Sequence, residues 1–154
     1  MAEMYVLEGE AAGWEGALRL TADRLLEAGC VAPDFYESCA ERERLYPTGF
    51  SSSCPVAIPH TTADHVVREA VCALRLRRPV EFRSIEDPDA IVRVRYVFNL
   101  ALLDSNAHLD LIRRLIVSAR DPRFFDCLDQ LDGRALREFL GKALFDQKGE
   151  RTCG

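Results

Sequence analysis

The first third of the chain carries apolar residues at helical spacing. Between Trp14 and Ala28 they recur every three or four positions, which predicts an amphipathic helix with one buried face. Gly29 follows that stretch directly, and glycine commonly ends a helix in the left-handed region of backbone space. A second apolar stripe predicts a helix that has Pro33 in its first turn and continues to about Leu45.

The middle of the chain changes to the two-residue period of β-strands. The pattern predicts a short strand at Cys54–Ile58 and a longer one at Ala70–Arg77, with a separate extended piece at Val80–Phe82. The strongest strand signal is Ile91–Leu103, which alternates arginine with apolar residues in its first half. Its second half is apolar at nearly every position, as is typical of a central strand covered on both faces.

Helical spacing returns after this strand and continues almost to the end of the chain. Asp104 and its polar neighbours are predicted to cap a helix that buries one face and ends near Ala119. Asp121, which is followed by proline, predicts the start of a second and shorter helix. A last helix with one apolar face is expected at Arg134–Phe145.

The order of predicted elements, α-α-β-β-β-α-α-α, indicates the architecture. We expect an α/β fold with a single domain, in which a mixed β-sheet has helices packed on both faces. A length of 154 residues suits one domain, which is expected to span residues 1–146. Residues 147–154 are polar and have no set of apolar partners, so they are predicted to form a frayed C-terminal tail.

Composition and charge exclude several classes of protein. The chain has 20 Lys+Arg against 25 Asp+Glu, and an acidic chain repels phosphate backbones, so no nucleic-acid partner is expected. No apolar run approaches the roughly 20 residues needed to cross a bilayer, and the N-terminus lacks the basic residues of a signal peptide. We therefore expect a cytoplasmic protein without direct membrane insertion. Its six cysteines show no CxxC pair and are expected to be buried thiols rather than disulfides.

The sequence lacks the motifs of several enzyme classes. It contains no glycine-rich phosphate loop, no HExxH zinc motif and no GxSxG nucleophile elbow. Cys54, His60 and His65 lack the CxxC pairing and the nearby fourth ligand of a zinc site. No cofactor and no metal are therefore expected, and the chemistry that remains is that of histidine.

Two histidines lie at the ends of predicted strands. His60 comes just after the strand that ends at Ile58, and His108 lies in the first turn of the helix after Leu103. Ligand sites in open α/β sheets gather at the carboxyl ends of strands, so the two rings can meet in one crevice. A helix amino-terminus beside them favours an anion. Each histidine taken alone also fits a hydrogen-bonded packing role.

Four segments of the chain carry a family resemblance. They are Arg42–Gly49, which reads Arg-Glu-Arg-Leu-Tyr-Pro-Thr-Gly, Ala57–His60, which reads Ala-Ile-Pro-His, Asn99–Leu103 and His108–Ile112. With these segments the chain resembles, over nearly its whole length, the enzyme IIA domains of the sugar phosphotransferase system. The similarity is to the fructose/mannitol type, in the branch with the galactitol-like and nitrogen-regulatory members, and His65 makes it most similar to the galactitol-like subgroup.

This resemblance implies a cytoplasmic phosphocarrier for sugar uptake. It implies that His60 accepts a phosphoryl group from the histidine-containing phosphocarrier protein and passes it to a cysteine of enzyme IIB, with the membrane enzyme IIC as an indirect partner. Arg42 would stabilise the equatorial phosphoryl oxygens, His108 would donate a hydrogen bond to them, and Thr48 would help to shape the pocket. Phosphoryl transfer depends on positioning and charge stabilisation, which agrees with the expected absence of a metal.

Two features of the signature region leave alternatives open. The loop Phe50–Pro55 replaces the glycine-rich stretch that is common before Ala-Ile-Pro-His in the family. Arg44 becomes a rival to Arg42 if the register before Thr48 slips by two positions. A charge run such as Glu41–Arg44 is also typical of a solvated helix face without a functional role.

Two other functions fit the same residues. A signalling module of the nitrogen-regulatory type would use His60 and Arg42 in the same way, with phosphorylation controlling which protein it binds. A small metal-dependent hydrolase would instead use His60, His65 and Cys54. Whether His65 takes part in phosphoryl transfer is open at this stage.

Overall fold

The computed structural model describes residues 2–145, and the tail predicted over 147–154 lies outside that range. The described chain is an α/β domain with a mixed five-stranded sheet, which confirms the predicted fold class. In chain order its helices and strands are β1 (Glu3–Gly9), α1 (Trp14–Glu27), α2 (Phe35–Leu45), β2 (Gly49–Phe50), β3 (Val56–Ala57), β4 (Ala70–Arg83), β5 (Ile91–Ala101), α3 (Ser105–Ala119), α4 (Pro122–Gln130) and α5 (Gly133–Phe145). Within residues 2–145 no helix has the length and apolar character needed to span a membrane.

β5 is the middle strand of the sheet, whose order is β1-β4-β5-β3-β2. It runs antiparallel to β4 and parallel to β3, while β1 pairs in parallel with β4. Helices α3, α4 and α5 pack with the buried Phe98 and Leu100, and α1 and α2 pack with the buried Cys72 and Ala101. A strand covered on both faces is apolar at successive positions, which explains why the pattern of β5 identified it as central.

The strand predictions need several corrections. The hydrophobic pattern does not predict β1, because only Met4 is buried on this edge strand and the strand depends on pairing with the distant β4. β4 is one strand instead of two pieces, and its pairing with β5 is irregular between Arg75 and Val80. The predicted strand at Cys54–Ile58 is limited to β3, because the chain before β3 bends away to contact the end of α3. The turn that precedes it includes β2, which pairs with β3.

Capping chemistry explains where the helices begin. Asp104 and Asp121 each accept a hydrogen bond from the backbone N–H two residues later, at 2.9 and 3.0 Å, as predicted for the starts of α3 and α4. The prediction for Pro33 is wrong: α2 begins only at Phe35, after the N-cap residue Asp34, so Pro33 lies in the preceding turn.

Four of the cysteines are buried free thiols, as expected: Cys30, Cys39, Cys54 and Cys72. Burial raises the pKa of the Cys54 and Cys72 thiols to about 12, so these side chains behave as small apolar groups. The expectation is wrong for Cys127, which is disulfide-bonded. The spacing of cysteines along the chain does not exclude such a bond, because its geometry depends on distance in the fold.

We predict that Gly29→Ala destabilises the protein by about 1 kcal/mol. Gly29 follows α1 with a φ of +77°, and alanine is strained there although a Cβ would meet no atom within 4 Å. Gly141→Ala is the control, because a Cβ would also meet open space but the residue lies inside α5, where alanine is favoured by roughly 1 kcal/mol. Urea unfolding measures both variants, and a Gly29→Ala protein as stable as the parent would contradict the strain.

Candidate functional site

His60 is placed by parallel pairing with the central strand. Val56 pairs with Tyr96, and the same register continues to an isolated bridge between His60 and Leu100. The backbone N–H of Leu100 donates to the carbonyl of Pro59 at 3.0 Å. His60 therefore follows the carboxyl end of β3, as predicted, and this pairing places it beside the carboxyl end of β5.

The His60 ring is held in one tautomer by the backbone. Its Nδ1 lies 2.8 Å from the carbonyl oxygen of Ile58, and a carbonyl can only accept, so Nδ1 carries the proton. The other ring nitrogen, Nε2, keeps its lone pair. Burial lowers the pKa of His60 to about 4, and the nearby charges of Arg42 and His108 act in the same direction. The ring is neutral at neutral pH, with a nucleophilic nitrogen.

His108 lies next to His60, in the first turn of α3. The two ring centroids are 5.6 Å apart. Among the described residues, Nε2 of His108 is buried and has no hydrogen-bond partner. Burial lowers the pKa of this ring, although the backbone of Asp104 and the charge of Glu69 act in the opposite direction. The prediction that the two histidines meet at the ends of separate strands is confirmed.

Arg42, in the last turn of α2, completes the same cleft. The cleft has a volume of about 340 Å³ and is lined by Arg42, His60, Thr61, Thr62, Ala63, Ser105, His108, Leu109 and Ile112. Within residues 2–145 the Arg42 guanidinium forms no ion pair, and it lies 5.4 Å from the centre of the Tyr46 ring. A cation without a carboxylate partner in such a cleft favours an anionic ligand.

Arg44 lies elsewhere. Its guanidinium is 3.6 Å from the Glu15 carboxylate and 5.7 Å from the centre of the Trp14 ring, so it packs against α1. Of the two rival arginines, the structure brings Arg42 to the histidines, and Arg44 behaves as expected for a solvated helix face.

Thr48 lies behind the cleft and is buried. Its backbone N–H and its hydroxyl donate to the two carboxylate oxygens of Glu43, at 2.7 and 2.9 Å. Its hydroxyl oxygen also accepts from the Ile58 N–H at 3.1 Å. Glu43 is only 6% exposed, so the expectation of a solvated charge run is wrong at this residue. Burial raises the pKa of Glu43 to about 7, although the two Thr48 bonds and the Arg42 charge lower it.

The remaining sequence candidates do not join this cleft. Nδ1 of His65 lies 3.0 Å from Oδ1 of Asp34, which ties the turn after β3 to the start of α2. Cys54 is buried, and its N–H donates to the carbonyl of Ala119. Within the described part of the chain, no three His, Cys, Asp or Glu side chains are grouped so that they could hold a metal ion. The structure therefore does not assemble the His60, His65 and Cys54 set of the hydrolase alternative.

Together these features define the class of site. As far as residues 2–145 show, a neutral imidazole with a free Nε2 lies beside a cation without an ion pair and a second histidine with an unpartnered nitrogen. Such a site is suited to the transfer of an anionic group onto a histidine.

The comparisons with known proteins agree with that class. Residues 2–142 match the family described as phosphoenolpyruvate-dependent sugar phosphotransferase system, EIIA 2. Over 110 residues the chain is 30% identical to the mannitol-specific phosphotransferase enzyme IIA component of Enterococcus faecalis, which covers 70% of this chain and 72% of the relative. Over 124 residues it is 28% identical to the ascorbate-specific PTS system EIIA component of Shigella boydii, which covers 79% of this chain and 78% of the relative.

A solved structure has the same fold. This structure is Escherichia coli enzyme IIAMtl in a complex with phosphorylated enzyme IIBMtl, with a TM-score of 0.68, 24% identity and coverage of 92% of this chain and 93% of that chain. The chain belongs to the EIIA 2 family of the phosphoenolpyruvate-dependent sugar phosphotransferase system. The family resemblance is confirmed, and it assigns the chain a phosphocarrier role in such a system.

We predict that the His60 imidazole titrates with a midpoint near pH 4 in the folded protein. The unfolded ring has its ordinary pKa of about 6.5, so lowering the pH below about 6.5 protonates the unfolded state first and progressively removes stability. Imidazole ¹⁵N shifts followed against pH measure the midpoint, with the urea-unfolded protein as the control. A folded-state midpoint near that of the unfolded chain would contradict the buried, neutral ring.

Proposed function

We propose that the chain carries phosphoryl groups on Nε2 of His60. The observation that supports this most directly is the hydrogen bond from Nδ1 of His60 to the Ile58 carbonyl, because it leaves Nε2 unprotonated beside Arg42 and His108. A nucleophile of this kind needs no separate general base to remove a proton before it attacks. The proposal places the chain in the cytoplasm, where its partner proteins act.

The proposed first step is transfer from the phosphohistidine of the histidine-containing phosphocarrier protein. The Nε2 lone pair of His60 forms a new P–N bond while the donor's P–N bond breaks, and the donor imidazole keeps that electron pair. The three equatorial oxygens then lie against Arg42, whose planar fork can bond two of them. Their negative charge favours the imidazolium form of His108, in which the unpartnered Nε2 becomes a donor.

The proposed second step is transfer to a cysteine of enzyme IIB. The thiolate attacks phosphorus, the P–N bond to His60 breaks, and the electron pair returns to Nε2. The solved complex of IIAMtl with phosphorylated IIBMtl supports such a partner. In this proposal enzyme IIC takes part only indirectly, through IIB. The two relatives named above are specific for ascorbate and for mannitol, which favours the carrier role over the signalling alternative.

We predict that His60→Ala abolishes phosphorylation, because Nε2 of His60 is the proposed acceptor atom and His108 is proposed only to donate a hydrogen bond to the phosphoryl oxygens. The protein is incubated with phosphoenolpyruvate, enzyme I and the phosphocarrier protein, and intact mass counts one acid-labile, base-stable phosphoryl group per parent chain. His65→Ala is the matched control and keeps the label, since His65 contacts Asp34 outside the cleft. A label that survives in His60→Ala would contradict the assignment of His60 as the phosphorylated residue. If the labelled parent then passes its phosphoryl group to enzyme IIB, the chain is a carrier and not a signalling module.

We predict that Arg42→Lys and His108→Gln slow phosphorylation but still allow it to reach completion. Loss of one well-placed donor costs about 10²–10³ in rate, and a lysine cannot reproduce the two-pronged contact of an arginine. Arg44→Lys is the control and is expected to match the parent, because Arg44 pairs with Glu15. A time course of phosphoprotein formation compares the variants. If Arg44→Lys is the slow variant and Arg42→Lys is not, the roles of the two arginines are exchanged.

A further inference from the structure

Glu43 is an unusual residue within the described domain because its carboxylate is buried without an ion pair. The side chain is 6% exposed, and none of the ion pairs among residues 2–145 includes it. A buried carboxylate is costly unless hydrogen bonds compensate it. Here both compensating donors belong to one residue, Thr48, which comes five positions later in the chain.

Thr48 is also hydrogen-bonded to the segment that carries His60. Its hydroxyl donates its only proton to Glu43 Oε1 at 2.9 Å, so its oxygen is left to accept the Ile58 N–H at 3.1 Å. The carboxylate thus fixes the direction of the hydroxyl. With that direction fixed, the hydroxyl presents a lone pair to Ile58.

Ile58 is hydrogen-bonded both to Thr48 and to the His60 ring. Its N–H bonds to Thr48, and its carbonyl oxygen accepts the Nδ1 proton of His60 at 2.8 Å. The bond to Thr48 holds the peptide unit before the Ile58 Cα, and the bond from the Leu100 N–H to the Pro59 carbonyl holds the chain that follows. The Ile58 carbonyl lies between these two anchored points and is thereby directed at the imidazole. Three successive hydrogen bonds, Glu43–Thr48–Ile58–His60, therefore connect the buried carboxylate to the imidazole.

We propose that Glu43 is a positioning residue for His60: through Thr48 and Ile58 it holds the imidazole in the Nδ1–H tautomer, with Nε2 ready to accept a phosphoryl group. The proposal rests on the proposed function, in which Nε2 is the acceptor. Glu43 itself touches neither the cleft nor the phosphoryl group, because it does not line the cleft.

Four variants test this connection. Glu43→Gln keeps the shape of the side chain but replaces one acceptor oxygen by a donor, so one Thr48 contact is lost. Thr48→Val removes the hydroxyl and frees the Ile58 N–H, whereas Thr48→Ser retains both bonds. Thr21→Val is the matched control, because Thr21 is a fully buried threonine whose hydroxyl bonds to the backbone and to Asn99, but it lies in α1 and not at the cleft.

Two measurements distinguish positioning from a purely structural role. The ¹⁵N spectrum of the His60 ring reports its tautomer near pH 8, where the Glu43 carboxyl is ionised. Phosphorylation by the phosphocarrier protein at varied concentration gives kcat and KM separately. We expect a second, Nε2–H tautomer in Glu43→Gln and Thr48→Val, with kcat lowered about tenfold and KM unchanged. Thr48→Ser is expected to restore the single tautomer, and Thr21→Val to lower the melting temperature while leaving both readouts at the parent's values.

The inference is overturned if Glu43→Gln and Thr48→Val keep the single tautomer and the parental kcat and only lose stability, as Thr21→Val does. Should Glu43→Gln fail to fold, the comparison of Thr48→Val with Thr48→Ser decides the question. The tautomer is measured without any donor protein, so this result does not depend on the proposed function. That function fails separately if the parent chain takes no phosphoryl group.

Discussion

The parallel pairing of the segment 56–60 with β5 determines where the site lies. This pairing brings His60 level with Leu100, near the end of the central strand. The chain that leaves β5 enters α3 at once, so His108, in the first helical turn, is brought beside His60. One register thus places two side chains that are distant in sequence. A shift of one residue would turn the side chains of the paired segment to the opposite face of the sheet.

The charge state of His60 follows from its surroundings more than from its own chemistry. Burial disfavours the imidazolium, and so does the Arg42 guanidinium on the other side of the cleft. The same cation that keeps the ring neutral and nucleophilic is available to an incoming anion, because among residues 2–145 it forms no ion pair. A cleft with this arrangement favours the binding of a negatively charged group beside the His60 ring.

The sequence predicted the parts of the molecule with a strong local period. The helices and the central strand show regular apolar spacing, and both histidines follow predicted strands, so their meeting could be inferred from general rules of sheet topology. β1 could not be predicted, because its pattern is weak and its partner is distant in sequence. The burial of Glu43 could not be predicted, because the residue stands in a run of charged positions. Its carboxylate is buried because Thr48, which follows the end of α2, lies back against this helix and donates two hydrogen bonds to it.

Arg42 and Glu43 are adjacent in the last turn of α2, and successive helical residues point about 100° apart. Arg42 therefore reaches the cleft while Glu43 enters the interior and bonds to Thr48. The end of α2 cannot rotate to move the guanidinium without breaking the buried carboxylate's hydrogen bonds. The contact that is proposed to orient the His60 ring thus also fixes the helix that carries Arg42, so the positions of the nucleophile and of the cation are set by the same buried side chain.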